Sequence, residues 1–418
     1  MNTASKTNTF VSIRDRFISD TRGNVAMMFG LAIVPILLFT GASVDYTRAS
    51  SERERILAAL DATGLALAKL PAGTALGVMQ AKGADYFAAS FQRRDIDTTP
   101  TLTINVVGNK IQLQATSAVK TAFMRIAGYD TLPIAVDSEV TNERKKIELA
   151  LVLDNTGSMG SAGKMPALKA AVNDLLTQLQ AKVVNPDDVK VSIVPFATSV
   201  KIDTNNWNAG WLRWDVTLEN TSLSWSLRQP PTTAQWTGCI ADRDQPWDIN
   251  SAPPAMLDSR YVVAKCAATN LERMEPLTTD LNLIRTRANA MTPGGNTNVT
   301  IGLTMGMATL RNDSPLGANS SNASDVEKFL ILLTDGDNTQ NRWSNGSGNI
   351  DPRLSAACTL AKTSNIKIYT IRVIAGNAGL LQACATNPSM YYDVQNASKL
   401  QPVFQKIIES IAGIRITS

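Results

Sequence analysis

The amino-acid sequence predicts an α/β protein: a doubly wound, mostly parallel sheet with a tryptophan-rich insertion, preceded by a single transmembrane helix and a small α+β module. Three observations lead there. Val25–Val44, "VAMMFGLAIVPILLFTGASV", runs twenty residues without a charge. Four stretches, "IELALVL", "VKVSIVPF", "KFLILLT" and "IKIYTIRVI", read as strands buried in a sheet, with helical patterns between them. The first and third run into aspartate-containing loops, "LDNTGSMG" and "LTDGDNT", at the strand ends where open α/β sheets place their ligands.

Taken in chain order, residues 1–24 carry Lys6, Arg14, Arg16 and Arg22 against Asp15 and Asp20. The positive-inside bias then places this segment in the cytoplasm and exports the chain beyond Asp45. Residues 25–44 form the membrane helix, since twenty residues at about 1.5 Å each match a hydrocarbon core of about 30 Å. A cleaved secretory signal is the competing reading, but the run is long for an h-region and no A-x-A type cleavage site is evident after it.

Residues 45–145 read as a helical stalk with a small α+β module. "DYTRASSERERILAALDATGLALAKL" has few helix breakers before Pro71, and "GVMQAKGADYFAASF" resumes the helix. In "TLTINVVGNKIQLQATSAV", Leu102, Ile104 and Val106 alternate with polar residues, Gly108-Asn109 supplies a hairpin turn, and Ile111 and Leu113 continue the alternation. Such a module is suited to holding a distal domain off the bilayer or to pairing with like stalks.

Residues 146–418 form the sheet domain. Leu168, Ala171, Val172, Leu175, Leu176 and Leu179 follow helical spacing, with Pro166 in the permitted first turn. Val299, Gly302, Leu303, Gly306, Met307 and Leu310 do the same, and the two glycines let that helix approach the sheet closely. Leu400, Val403, Phe404, Ile407, Ile408 and Ile411 mark the last helix. The rhythm breaks over about 200–278, an insertion long enough to carry function or structure of its own. Six of the seven tryptophans (Trp207, Trp211, Trp214, Trp225, Trp236, Trp247) fall there. They read either as an aromatic face for glycan or peptide or as a small tryptophan core stapled by a disulfide.

Composition excludes several functions. With 40 Lys plus Arg against 36 Asp plus Glu and no arginine-rich run, nothing marks a nucleic-acid surface. The absence of histidine removes the usual general base and the Ser-His and Cys-His pairs. Cys239, Cys266, Cys358 and Cys384 fit an oxidising compartment. Three pairings are open; shared segments favour Cys239 with Cys266 and Cys358 with Cys384, and buried free thiols are the alternative.

The chemistry-bearing residues lie on three loops. Asp154, Thr156 and Ser158 form D-x-T-x-S at one strand end; "TPGGNTNVTIGL" brings Thr297 on a glycine-rich loop opening a helix; Asp335 ends another strand. If the loops meet at the carboxyl edge of one sheet, two carboxylates and three hydroxyls face one point. That is an all-oxygen donor set for a hard divalent cation, Mg2+ foremost, with Ca2+ and Mn2+ as alternatives. Neutral hydroxyl ligands keep such an ion electrophilic enough to accept an acidic group from outside. Asp337 reads as a solvated turn residue.

The order D-x-[ST]-x-S, Thr after glycines, then Asp in T-D-G resembles the metal-ion-dependent adhesion site of von Willebrand factor A domains, with Thr156 where serine is commoner. The resemblance implies a von Willebrand factor A-like domain in which Thr156, Ser158 and Thr297 coordinate the ion and Asp154 and Asp335 bind it directly or through water. "RGNVAMMFGLAIVPILLFTGASVDYTRA", with Arg22, Gly23, Asn24 and Asp45 flanking the span, is similar to the anchor of the TadG-type proteins of tight-adherence (Tad/Flp) pilus assembly. A prepilin-peptidase site at Gly23 is disfavoured, because Met28 stands where a pilin-like sequence carries glutamate.

That second resemblance implies a single-pass inner-membrane protein of a diderm bacterium with its bulk in the periplasm. Its partners would be other pilus-assembly or envelope proteins, met through an acidic side chain at the metal; homo-oligomerisation is left open. The chain is then a binding protein and not an enzyme. The competing reading is an aspartyl phosphotransferase with Asp154 as nucleophile, because "DNTGS" resembles the D-K-T-G-T loop of P-type ATPases. Asn155 replaces the lysine there. A metal-independent envelope scaffold is the third reading.

Overall fold

The computed structural model describes residues 23–70, 74–91, 99–107, 110–141, 145–183 and 187–417. The basic N-terminal segment, Pro71 and the Gly108-Asn109 turn lie outside the described residues. The chain divides into two compact units, residues 1–142 and 143–418.

In the first unit one helix, α1 (Gly23–Ala68), runs without interruption. It is long and apolar enough to cross a membrane by length and composition. Its side chains from Met27 to Leu37 are exposed, whereas a stripe at Gly41, Asp45, Ala49, Glu52, Ile56, Leu60, Thr63 and Leu67 is buried. The spacing of three and four is the helical repeat, so one face meets the rest of the unit. There α2 (Leu76–Ser90) and a three-stranded antiparallel sheet, β1 (Thr101–Val107), β2 (Lys110–Lys120) and β3 (Thr131–Thr141), complete a core of Leu60, Leu67, Phe87, Ile104, Ile111 and Leu113 among others. Ile104 opposite Leu113 places the two strands' alternating apolar residues on that core, although Val106, expected on the same face, is exposed.

The second unit is built on β4 (Lys146–Asp154), β5 (Val189–Phe196), and four short strands β6 (Val200–Lys201), β7 (Leu212–Arg213), β8 (Cys239–Ala241) and β9 (Tyr261–Val263). After them come β10 (Glu275–Thr278), β11 (Val326–Thr334), β12 (Ile366–Val373) and β13 (Tyr391–Val394). The strand order is β13-β12-β11-β4-β5-β6-β8-β9-β7, with β10 also on β5. The five strands β13, β12, β11, β4 and β5 are parallel to one another.

Period-two geometry sends alternate side chains of β4 to opposite faces. Leu149, Leu151 and Leu153 meet α3 (Lys164–Lys182), α4 (Leu281–Ala290) and α8 (Leu400–Thr417). Ala150 and Val152 meet α5 (Val299–Thr309), α6 (Ser347–Thr363) and α7 (Ala378–Cys384) on the other side. The two glycines of α5 do what the sequence implies. A Cβ at Gly302 would stand 2.6 Å from the Phe196 ring, and one at Gly306 would stand 2.4 Å from Val152. The polar exception on β4, Glu148, is buried at its start and accepts hydrogen bonds from Ser320 Oγ and the Ser321 amide, each at 2.7 Å.

The insertion carries the expected disulfide staple, but neither an aromatic face nor a core of tryptophans. Its short strands extend the main sheet, and its own small core is aliphatic, of Val216, Leu218, Ala241, Val262 and Ala264. Trp236 instead joins the main core and donates its indole N–H to Cys239 O at 2.7 Å, with Trp214 edge-on against it. Of the insertion's tryptophans only Trp207 and Trp225 are exposed, too few for a continuous aromatic face. The disulfides are Cys239–Cys266 and Cys358–Cys384.

Candidate metal centre

β4 and β11 are neighbours, in register with Leu153 opposite Leu333, so Asp154 and Asp335 emerge at the same edge of the sheet. From β4 the chain crosses to β5 on one side and later returns through β11 on the other. The two strands therefore flank a topological switch point, where the connections diverge and leave a crevice.

Backbone hydrogen bonds strap the three loops together. Gly157 N donates to Gly295 O at 3.0 Å and Gly294 N to Asn155 O at 2.9 Å, joining the first loop to the second. Thr339 N donates to Thr297 O at 2.9 Å, and Thr297 N to Thr339 Oγ1 at 2.8 Å, joining the second to the third. Asn155, whose position would matter to a phosphotransferase, turns its side chain away to donate to Thr292 O.

Four of the five sequence-derived residues form one hydrogen-bonded chain. Thr156 Oγ1 donates to Asp154 Oδ1 at 2.5 Å and lies 3.0 Å from Ser158 Oγ, which donates to Asp335 Oδ1 at 2.5 Å. Asp154 also accepts from the Thr156 amide and, through Oδ2, from Thr334 Oγ1 at 2.7 Å. Thr297 borders the same space: a Cβ on Gly336 would lie 3.6 Å from Ser158 Oγ and 3.8 Å from Thr297 Oγ1. A glycine there keeps the space between the hydroxyls open. Asp337 is exposed, as the sequence implies.

Asp154 is fully buried, and burial first, then the charge of Asp335, push its carboxyl up to about 6 against the opposing hydrogen bonds. Two carboxylates this close in a site shielded from water disfavour their own ionisation, and a cation relieves both penalties. The hydroxyls are set to help. With their protons committed to Asp154 and Asp335, the Thr156 and Ser158 oxygens keep lone pairs for a cation. Asp154, Thr156, Ser158, Thr297 and Asp335 could thus hold a hard divalent ion. Among the described residues there is no group of three or more His, Cys, Asp or Glu side chains placed for a metal, so a soft or nitrogen-rich site is not formed.

Sequence reasoning missed Lys164. It is buried at the start of α3, and its ammonium bonds Asp335 Oδ2, offsetting one of the two carboxylate charges. The residues after Thr297 were also missed. Asn298 caps α5, and its Nδ2 donates to both oxygens of the buried Asp242 at 2.9 and 3.0 Å. Burial pushes the Asp242 carboxyl up to about 6. The insertion is in this way fastened to the residue beside Thr297. A lone lysine, and an Asp–Asn pair 56 residues apart, leave no local pattern to read.

Comparison with known proteins gives two family matches. Residues 23–69 match the Tad family model, described as Flp pilus-assembly TadE/G-like, and residues 276–406 match the von Willebrand factor type A (VWA) domain. The second match begins after β4; the parallel pairing of β4 with β5 and β11 carries the same sheet back to Lys146. Among curated proteins none matches the chain.

Solved structures similar to it include the pilus adhesin SpaC from Lactobacillus rhamnosus GG, at 14% identity and TM-score 0.40, covering 75% of this chain and 34% of that one. Another is the vWF domain of the type V pili tip protein Mfa5 from Porphyromonas gingivalis, at 12% identity and TM-score 0.39, with 66% and 97% covered. A third is proximal thread matrix protein 1 from the mussel byssus with a zinc-occupied MIDAS motif, at 15% identity and TM-score 0.36, with 64% and 48% covered. The chain spans about a third of SpaC's length.

Proposed function

We propose that this chain, in which a TadE/G-like helix is joined to a VWA domain, is a membrane-anchored component of pilus assembly that docks a partner protein through a divalent cation. The α1 helix is the anchor, crossing the inner membrane once with the bulk of the chain in the periplasm. Asp154, Thr156, Ser158, Thr297 and Asp335 hold the ion, Mg2+ by the chemistry of all-oxygen donors. When bound, the ion supplies an electrophile for a carboxylate from outside.

The observation that carries this reading is the convergence of two carboxylates and three hydroxyls from three loops strapped to one another at a single sheet edge. Charge gives it direction. Asp154 and Asp335 against the Lys164 ammonium leave a formal single negative charge, which a divalent ion turns into a single positive one. Such a site repels cations and draws an acidic ligand. The phosphotransferase reading is the weaker one, because Asp154 is buried and both of its oxygens are engaged by Thr156 and Thr334. In-line attack needs a carboxylate oxygen reachable by a phosphoryl group, and Asp154 is fully buried.

The test is crosslinking of the full chain in intact envelopes, with Mg2+ or with a chelator. Crosslinks to a pilus or envelope protein that disappear on chelation, and also in Ser158→Ala, are expected. Crosslinks indifferent to both changes would refute the proposal.

A further inference from the structure

We propose that the loop between β2 and β3, Thr121–Asp130, is a second membrane contact: a rigid interfacial wedge whose apolar tip enters the lipid headgroup region beside the end of the α1 span. The inference rests on the reading of α1 as a membrane anchor and adds a surface that this reading does not contain.

The loop is built to a fixed shape. Thr121 N donates to Asp130 O, the segment Met124–Ala127 forms a 3-10 turn, and Gly128 closes it at φ 92°, with Tyr129 N donating to Met124 O. Asp45 of α1 clasps the turn from below. Its carboxylate accepts the backbone N–H groups of Ala122, Phe123 and Met124 at 2.9, 2.8 and 2.8 Å. One carboxylate thus satisfies the amides that open a helical turn. Phe123 also lies directly on the helix at Gly41, where an added Cβ would come within 2.4 Å of its own Cβ.

That clasp fixes where the tip stands. Gly41 is three residues inside the end of the charge-free run at Val44, or about 4.5 Å along the helix. Just beyond the clasp the side chains of α1 are apolar and, apart from half-buried Leu38, bare from Phe39 back to Met27, a surface that lipid covers if α1 spans. From this Phe123 contact outward the loop exposes Phe123 (44%), Ile126 (77%) and Tyr129 (61%). Three large apolar side chains on one turn, in a unit with a good apolar core of its own, are an exposed patch that calls for a cover.

The patch adjoins the apolar helix surface, and its composition suits a bilayer interface: two aromatics and an isoleucine with the exposed Arg125 on the same turn. Tyrosine and phenylalanine rings sit at the headgroup level, and an arginine stem lies along apolar surface while its head reaches phosphate. Asp130 is the loop's acidic residue, 3.6 Å from the Arg125 guanidinium and exposed at the loop's base. A cover of protein is the alternative occupant, and the test separates the two.

The full chain is reconstituted in phosphatidylcholine nanodiscs, with and without brominated acyl chains, carrying one engineered cysteine labelled with a polarity-sensitive dye. Among the described residues the native cysteines are all in disulfides, so labelling is selective in the oxidised protein. The sites are Val34→Cys in the span, Ile126→Cys at the tip and Thr103→Cys on β1 as an exposed control. Tyr129→Cys repeats the tip measurement should the label at 126 disturb the turn.

The expected result is loss of emission in brominated lipid at Val34 and at the tip, with Thr103 unchanged. Quenching at Val34 without quenching at either tip site overturns the wedge and leaves the anchor standing. A blue-shifted tip dye that bromine does not quench means a protein cover, and overturns it too. Absence of quenching at Val34 removes the anchor reading, and the wedge falls with it.

Discussion

Replacing Asp154 with asparagine should stabilise the protein when no divalent ion is present. Asparagine keeps the shape of the side chain, and its Oδ1 can accept from both the Thr156 amide and Thr156 Oγ1 as the carboxylate does. Its Nδ2 would face Thr334 Oγ1, which now donates to Asp154. That hydroxyl can turn to donate to Gly336 O, 3.3 Å away, and accept from the new amide. No buried polar atom is left without a partner.

The substitution removes the cost of ionising a buried carboxyl. The Asp154 carboxyl is raised from an ordinary 3.8 to about 6, so the folded protein holds its proton more tightly than the unfolded chain. Stability in the metal-free state therefore falls as pH rises from about 4 to about 6, and the penalty stays in full above that range. A shift of roughly two pH units corresponds to about 3 kcal/mol, which Asp154→Asn should recover at pH 7 and not at pH 4. The assay is denaturant unfolding of the full chain in detergent with EDTA at both pH values. Asp154→Asn less stable than the parent at pH 7 in EDTA would refute the reasoning, since the carboxylate would then be a net stabiliser without any ion.

Three further outcomes are expected from the packing. Gly306→Val should cost about 1–3 kcal/mol, because its Cβ meets Val152 at 2.4 Å and Leu330 at 3.0 Å on a fully buried helix; an unchanged unfolding midpoint would show that α5 can move off the sheet. Cys358→Ser with Cys384→Ser opens a loop of 26 residues and should lose about 3.5 kcal/mol by chain entropy, read as a lower denaturation midpoint in the oxidised protein. Asn298→Ala removes the α5 cap and leaves buried Asp242 without its two side-chain hydrogen bonds. A loss of about 2–4 kcal/mol is expected at pH 7, shrinking as pH falls through about 6 and the Asp242 carboxyl takes its proton.

The sheet was legible because its central strands are long and buried on both faces, which leaves unbroken apolar runs. Its helices were legible because six-residue stripes such as Leu168 to Leu179 repeat at helical spacing. The short insertion strands were not. Two or three residues carry no periodicity, and β6 to β9 exist through pairing to a sheet edge that only the folded chain provides. The tryptophans misled for a related reason: Trp236 packs into a core whose other residues come from distant segments.

At the candidate metal centre the hydroxyl and carboxylate side chains could be read locally, because D-x-T-x-S places alternate side chains on one side of a tight loop. Lys164 could not, since a lysine at a helix start is ordinary until Asp335 is seen against it. The same holds for Asp45, which in sequence only marks the end of an apolar run and in the fold holds three backbone amides of a loop some 77 residues later.

The central claim is that oxygen ligands from three loops share one divalent ion, and crystals of the protein grown with Mn2+ test it most directly by anomalous scattering. The account predicts a single strong peak within bonding distance of Thr156 Oγ1 and Ser158 Oγ, lost in Ser158→Ala. A manganese peak elsewhere, with this crevice bare at the same concentration, would contradict it.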